Sequence, residues 1–270
     1  RQRGVPSRVG GADGAPWGRL SARSRRVVSG GGIQRRHGAD GAWPGALATW
    51  RRSRSRVLRS AAMHTVFALA GPTPEVGWAI VERAWRVTRA LAPDLGGEVA
   101  EAAEPLPELG GGWFTRCPTG GAAAELVTRA DDDDLLVLAF GVVFGARGGA
   151  AGPIAAAYRA GGAAAARALD GDFSAVVVER RAARLTILGD GIGHRALRCC
   201  TDGEIFAVSS HELALAATGR LPVALDPVSA SSAIAVEWSL GGHSLVRGVE
   251  TVGADRVVSW SRGGLERRAA

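Results

Sequence analysis

Residues 169–210 read LDGDFSAVVVERRAARLTILGDGIGHRALRCCTDGEIFAVSS. Four runs of strand length follow one another in this stretch, Phe173–Glu179, Arg184–Leu188, Leu197–Cys200 and Ile205–Ser209, parted by short turns. Asp202-Gly203 between the last two is a hairpin signal. Upstream, Pro153–Leu169 has the composition of an Ala-rich helix that ends at Asp170-Gly171, and Leu135–Phe144 is a continuous apolar run introduced by the acids Asp131–Asp134. Further back, His64–Ala70 is a short apolar strand stopped by Gly71-Pro72-Thr73-Pro74. Val76–Leu91 then has helical spacing, with Trp78, Val81, Trp85 and Thr88 or Leu91 on one face. Gly96–Gly112 reads as a Gly/Pro-interrupted connection. Downstream come a short helix over Glu212–Ala217 closed by Gly219, a helix over Pro227–Val236 and a last strand over Arg256–Trp260. Strand clusters flanked by helices predict antiparallel sheets covered by helices, an α+β layered architecture.

Charge divides the chain. Every basic residue is arginine, and residues 1–62 hold 14 of them against Asp13 and Asp40, so the formal net charge of +7 belongs to this first quarter while the remainder is acidic. Residues 1–62 are rich in Gly, Arg and Ser without sustained periodicity, and such a composition buries too little apolar surface to offset the entropy of ordering. They read as a disordered or non-native extension. The competing reading is an arginine-and-aromatic tail for RNA, with Trp17, Trp43 and Trp50 among the arginines. The sole methionine is Met63, where an ordered domain is expected to begin, and it is expected to run to about residue 262. No apolar run approaches the roughly 18 residues that span a bilayer, so no membrane association is expected. The three cysteines, Cys117 and the adjacent Cys199 and Cys200, form neither a disulfide framework nor a zinc-ligand spacing, and read as reduced thiols of a cytoplasmic protein.

Candidate chemistry is sparse. Asp131–Asp134 reads as a solvated turn, since no second oxygen cluster at suitable spacing accompanies it, and no metal site is expected. Ser209-Ser210-His211-Glu212 suggests Ser/His chemistry, but neighbours on one strand point to opposite faces, and a structural role is expected. His194 and His243 are isolated, and Trp238 and Trp260 read as core or rim packing. Gly189-Asp-Gly-Ile-Gly193 is a weak dinucleotide signature because strand residues, not a helix, follow it. Its glycines instead let the chain bend tightly before the next strand.

Four segments, in order, resemble the N-terminal domain of asparagine synthetases: Leu169-Asp-Gly-Asp-Phe-Ser-Ala-Val-Val-Val178, Leu188-Gly-Asp-Gly-Ile-Gly-His-Arg-Ala-Leu197, Phe206-Ala-Val-Ser-Ser-His-Glu-Leu-Ala-Leu215, and Leu245-Val-Arg-Gly-Val-Glu-Thr-Val-Gly253 leading to Trp260. They are similar to that family's GDFAFV, ARDRxGxRPLYY, FASExKAL and LFRGIxxLPPGHxLxW. The resemblance implies a class II glutamine amidotransferase domain, with the Ntn-hydrolase αββα sandwich of two antiparallel sheets. It also implies a site. In active relatives the nucleophile is a cysteine directly after the initiator methionine, with its freed α-amino group as base. Aligned on Met63, that position is His64. Thr65 could act as a terminal nucleophile only after removal of both preceding residues. The family's NGExYN, which supplies an Asn side chain and a Gly backbone to oxyanion and substrate, aligns with Phe140 and Gly141, so the Asn is replaced. The Asp that receives the substrate ammonium falls near Ala150 when Tyr158 is set on the family's HAY helix. Arg116 and Arg129 lie in the region of the substrate-binding Arg.

These replacements predict a pocket that does not hydrolyse glutamine. Cysteine-less versions of the domain occur in β-lactam synthetases and lasso-peptide cyclases, where a second domain uses ATP and Mg to close an amide. Its SGGxDS signature does not occur in residues 1–270, and residues 263–270 are expected to open the linker towards it. The implied partner is such a synthetase domain, in cis or as a separate chain, with a homodimer also conceivable and nucleic acid not expected. This domain itself carries no cofactor in that reading.

Overall fold

The structure, a computed structural model, describes residues 64–91, 99–119, 126–221, 224–236, 244–254 and 256–269. The expectations for residues 1–62, Met63, Trp238 and His243 lie outside these residues. Twelve strands and four α-helices alternate along them: β1 (Thr65–Ala70), α1 (Pro74–Leu91), β2 (Val99–Leu106), β3 (Gly111–Pro118), β4 (Val127–Asp131), β5 (Leu135–Val143), α2 (Ala151–Arg167), β6 (Gly171–Glu179), β7 (Arg184–Gly189), β8 (Leu197–Thr201), β9 (Phe206–Ser209), α3 (Glu212–Ala216), α4 (Pro227–Val236), β10 (Glu250–Val252), β11 (Arg256–Ser261) and β12 (Gly264–Ala269).

The strands form two six-stranded sheets, ordered β10-β8-β9-β1-β3-β2 and β12-β11-β7-β6-β5-β4. Every pairing is antiparallel. Strand alternation sorts the apolar side chains into three layers. Val66, Ala68 and Trp113 of the first sheet meet Leu136, Leu138, Val176 and Val178 of the second in a central layer. Phe67, Leu69 and Phe114 face outward from the first sheet under α1 and α3, meeting Val81, Ala84 and Leu215. Val137, Phe173, Ala175 and Val177 face outward from the second sheet under α2, meeting Ile154 and Ala155. The result is the expected α+β sandwich, two antiparallel sheets between helical layers.

Most elements fall where the sequence puts them, and three regions differ. Residues 99–118, read mainly as a connection, form the strands β2 and β3. Gly111 and Gly112 are part of this pairing because a side chain at Gly111 would run into the Leu69 carbonyl and one at Gly112 into the Trp78 ring. Val127–Asp131 is β4, with Asp131 paired across from Leu136 and Asp132 capping the turn through bonds from the Asp134 and Leu135 amides at 3.0 and 2.9 Å. Residues 264–269, read as the opening of a linker, instead pair with β11 as β12. Their Glu and Arg side chains suit an exposed edge, where charge discourages pairing with other chains.

Helix α1 lies close over the start of β3 because Gly77 has no side chain: a Cβ there would strike the Gly110 carbonyl oxygen and come within 2.7 Å of the Gly111 Cα. Gly77→Ala on an open helix surface is stabilising by helix propensity, by about 1 kcal/mol or less. Here the clash reverses the sign, and we expect a loss of roughly 1–3 kcal/mol from overpacking. Urea unfolding of the variant checks this, since an unchanged or raised midpoint would contradict the close packing.

Candidate functional site

The N-terminal end of β1 sits at one end of the central layer, where the second and third motif segments converge. His64 precedes the strand and its backbone carbonyl accepts two hydrogen bonds, from Ser210 Oγ at 3.1 Å and from His211 Nε2 at 2.9 Å. Ser210 Oγ also accepts from the Val66 amide at 3.0 Å. Ser210 and His211 therefore converge, against the sequence expectation that they point to opposite faces. The reason is that β9 ends at Ser209 and the chain turns into α3, so strand alternation no longer applies. Glu212 pairs with Arg198 at 2.9 Å, and Arg198 also donates to the Ser210 carbonyl at 3.1 Å. The Ser210–Glu212 segment thus clamps the start of β1 to the sheet.

The His64 ring stacks beside the Phe140 ring, centroids 6.1 Å apart and planes 28° from parallel. The two residues that the alignment sets at the nucleophile and Asn positions therefore meet. The Arg195 guanidinium lies 5.0 Å from the Phe140 ring centroid on the cation–π side. Arg195 Nε also binds Asp172 Oδ2 at 2.9 Å and the Asp172 carbonyl at 3.2 Å, and His194 Nδ1 is 3.6 Å from Asp172 Oδ1. The Arg195–Asp172 pair was missed from the sequence. Its signal was the Arg of Gly193-His-Arg195 and the second Asp of Asp170-Gly-Asp172, two motif residues whose segments the fold brings together.

The loop that carries Arg195 is built by Asp190. This buried carboxylate accepts bonds from the amides of Phe173 at 2.8 Å, Ile192 at 2.8 Å and Gly193 at 2.5 Å. Here the Gly189–Gly193 signature serves a carboxylate-centred turn, not a phosphate.

Gly141 is next to Phe140 with a φ of +118°, in the region that favours glycine. A side chain there would strike the Asp172 carbonyl oxygen and come within 2.7 Å of Arg195 Cδ. Its amide donates to the Leu126 carbonyl at 2.7 Å. This backbone N–H is thus engaged within the protein.

The remaining expected positions do not join this cluster. Ala150 is fully buried in the layer beneath α2, whereas Phe140 packs on the central layer, so the two lie on opposite faces of the second sheet. Arg116 pairs with Glu101 at 3.0 Å, and Arg89 reaches the other oxygen of the same carboxylate at 3.1 Å. Arg129 pairs with Glu104 at 2.9 Å and lies over the Trp113 ring. Thr65 is fully buried inside β1. Cys117 is buried, and desolvation raises its thiol pKa. Cys199 and Cys200 lie on opposite faces of β8, and burial pushes both thiols up to about 12. Trp260 packs half-buried against the central layer. No helix of the described residues is long and apolar enough to cross a membrane.

No protein-family model matches this sequence, and no curated protein matches it. Among solved structures, the glutamine phosphoribosylpyrophosphate amidotransferase from B. subtilis, complexed with ADP and GMP, aligns over 76% of this chain with 11% identity and a TM-score of 0.47. A structure described as the allosteric regulatory enzyme of purine biosynthesis aligns over 76% with 12% identity and a TM-score of 0.46. This chain spans about half of each of those chains, 49% and 48%.

His211 provides a titration probe of the clamp. Burial is the main cause that lowers its pKa, with Arg198 adding to the effect, while its bond to the His64 carbonyl opposes it. A histidine whose folded pKa lies below its unfolded value is neutral in the native state. The unfolded chain therefore binds more protons as pH falls below about 6.5, and stability drops with acidification. We expect the melting temperature to fall between pH 7.5 and 5.5. In His211→Gln, whose amide can still donate to the His64 carbonyl, that part of the slope should flatten. An identical slope in both proteins would remove His211 from the account.

Proposed function

We propose that residues 63–262 are a glutaminase-like domain that does not hydrolyse glutamine, and that the domain acts as scaffold for an ATP-dependent, amide-forming synthetase domain. What supports the family reading is the convergence of the quoted segments. Asp172, Arg195 and the Ser210–Glu212 clamp come from three different motifs and gather at the start of β1. The αββα layering agrees with it.

One observation carries the loss of activity. The front of β1 presents an imidazole stacked on Phe140. An acyl-transfer site there needs a terminal thiolate with an α-amino base and a polar donor for the oxyanion. Phe140 offers no donor, and the neighbouring Gly141 amide is held by Leu126. Glutamine would also have to place its ammonium and carboxylate in the cleft. The Asp172 carboxylate and Arg195 guanidinium already neutralise each other, and Ala150 brings no acid to the cleft. Burying an uncompensated ammonium costs several kcal/mol or more.

In this reading, ATP and Mg belong to the synthetase domain, whose reaction is of the β-lactam synthetase or lasso-peptide cyclase kind and consumes no ammonia. That partner is joined in cis or docks as a separate chain. The alternative is a working amidohydrolase with a non-cysteine nucleophile, such as Thr65 exposed by processing.

Ammonia release from glutamine by the purified full chain decides between the two. We expect no sustained turnover above a no-enzyme blank across pH 6 to 9. Turnover proportional to protein concentration would sink the proposal, and its loss in Thr65→Ala would then identify the group responsible.

A further inference from the structure

A cavity of about 740 Å³ lies on the outer side of the second sheet, between the C-terminal half of α2 and β6, β7, β11 and β12. That volume is within the roughly 300–1,000 Å³ of small-molecule sites. The cavity exists because α2 breaks at Gly161 and Gly162, where the backbone leaves helical geometry and Gly162 takes a φ of +66°. Gly162, Ala163 and Ala164 then overhang the sheet with side chains too short to fill the space.

The walls are cationic. Arg159, Arg167, Arg181, Arg184 and Arg268 line the cavity, against the carboxylates of Asp134 and Glu179 alone. Arg159 and Arg268 reach outward to Asp132 and Glu266. Even with those two acids counted, one guanidinium is left over. Arg167 donates to the backbone carbonyls of Ala254 and Arg256. Arg184 stands 4.0 Å from Glu179 Oε2, the same oxygen that accepts the Tyr158 hydroxyl at 3.1 Å. Its ion pair is therefore at the limit of contact and shares its acceptor. The floor is polar as well, with the Thr186 and Ser259 hydroxyls 3.0 Å apart and Thr186 itself buried.

The geometry points to a binding site for a small polyanion of the phosphoryl class. Guanidinium groups bind phosphoryl oxygens bidentately through charge-assisted hydrogen bonds. A half-enclosed, arginine-walled cavity weakens solvent screening of such contacts relative to open surface. The hydroxyl floor suits the oxygen-rich remainder of the ligand, whereas an apolar ligand would leave these polar groups desolvated. This site faces away from the His64 cleft, and the inference does not depend on the fate of glutamine there.

Pyrophosphate is the probe, titrated calorimetrically into the full chain with ionic strength held constant by sodium chloride. We expect saturable binding to one site, weakened roughly tenfold or more by Arg184→Gln and by Arg268→Gln, the loss that follows removal of one charge-assisted hydrogen bond. Both side chains are substantially exposed, so these variants should fold, and circular dichroism confirms it. Arg220→Gln, on the β8–β9 side and already paired with Asp202 and Glu204, should bind as the parent does. Failure to saturate overturns the inference. So does binding that survives both substitutions, which assigns it elsewhere, for example to the 14 arginines of residues 1–62. Citrate binding more tightly than pyrophosphate would overturn the phosphoryl assignment.

Discussion

Both faces of each sheet have to be covered, and the rest of the structure follows from that requirement. β1 is buried along its whole length, and β6 nearly so. A strand that is apolar on one face needs a single covering layer, whereas these strands carry Val, Leu, Phe and Ala on both sides and need two. Face-to-face packing of the sheets supplies the inner cover, and α1 and α2 supply the outer ones. Fully burying a side chain of Val or Leu size is worth about 1.5–3 kcal/mol, so leaving either sheet face bare would cost more than a domain's usual net stability. Chemistry is thereby confined to places where cover ends. The open end of the central layer, in front of β1, is one. The outer face beyond the break in α2 is the other.

At the first place, local polar groups fix what apolar packing cannot. Three amides converge on Asp190 and set the turn that brings Arg195 over Phe140. Ser210 and His211 hold the His64 carbonyl from the other side. Gly141 admits the Asp172 backbone because it has no side chain. This arrangement is well braced. Most of its polar groups are bonded to one another, while Asp172 Oδ1 is buried without a hydrogen bond and has the His194 ring nitrogen 3.6 Å away.

Much of this was legible in the sequence where local and tertiary demands agree. The runs of β5 to β9 combine β-branched or apolar residues with turn-forming punctuation, and Pro227–Val236 was bounded correctly from its opening proline. The strands that escaped notice are those whose own residues argue weakly for strand. Val99–Leu106 is mostly Ala and Glu with a proline, β3 opens on two glycines, and half of Gly264–Ala269 is charged. Each takes its conformation from pairing with a neighbour, and intrinsic strand preference is easily overridden by such pairing. The meeting of His64 with Phe140 followed the alignment, which set both at one site. The place of Ala150 did not, since it depended on counting from Tyr158 across glycines whose backbone path no motif specifies. Asp172 and Arg195 escaped notice because neither residue alone marks an ion pair, and their contact exists only once the β6 and β7–β8 segments are folded together.

Strand β6 also separates the two places chemically. Asp172 and Glu179 lie seven positions apart, an odd number, so alternation sends them to opposite faces. At about 3.3 Å per residue they are also roughly 23 Å apart along the strand, more than twice the screening length of about 8 Å at physiological ionic strength. Asp172 answers Arg195 at the inner cleft, while Glu179 answers Tyr158 and Arg184 at the outer cavity. Charge introduced at the outer cavity therefore acts on the clamp around His64 only over this long distance. Any coupling between the two would have to travel through the backbone of β6, which is hydrogen-bonded to β5 and β7 on both sides and has little freedom to move. The strand thus carries two charged clusters on opposite faces, roughly 23 Å apart.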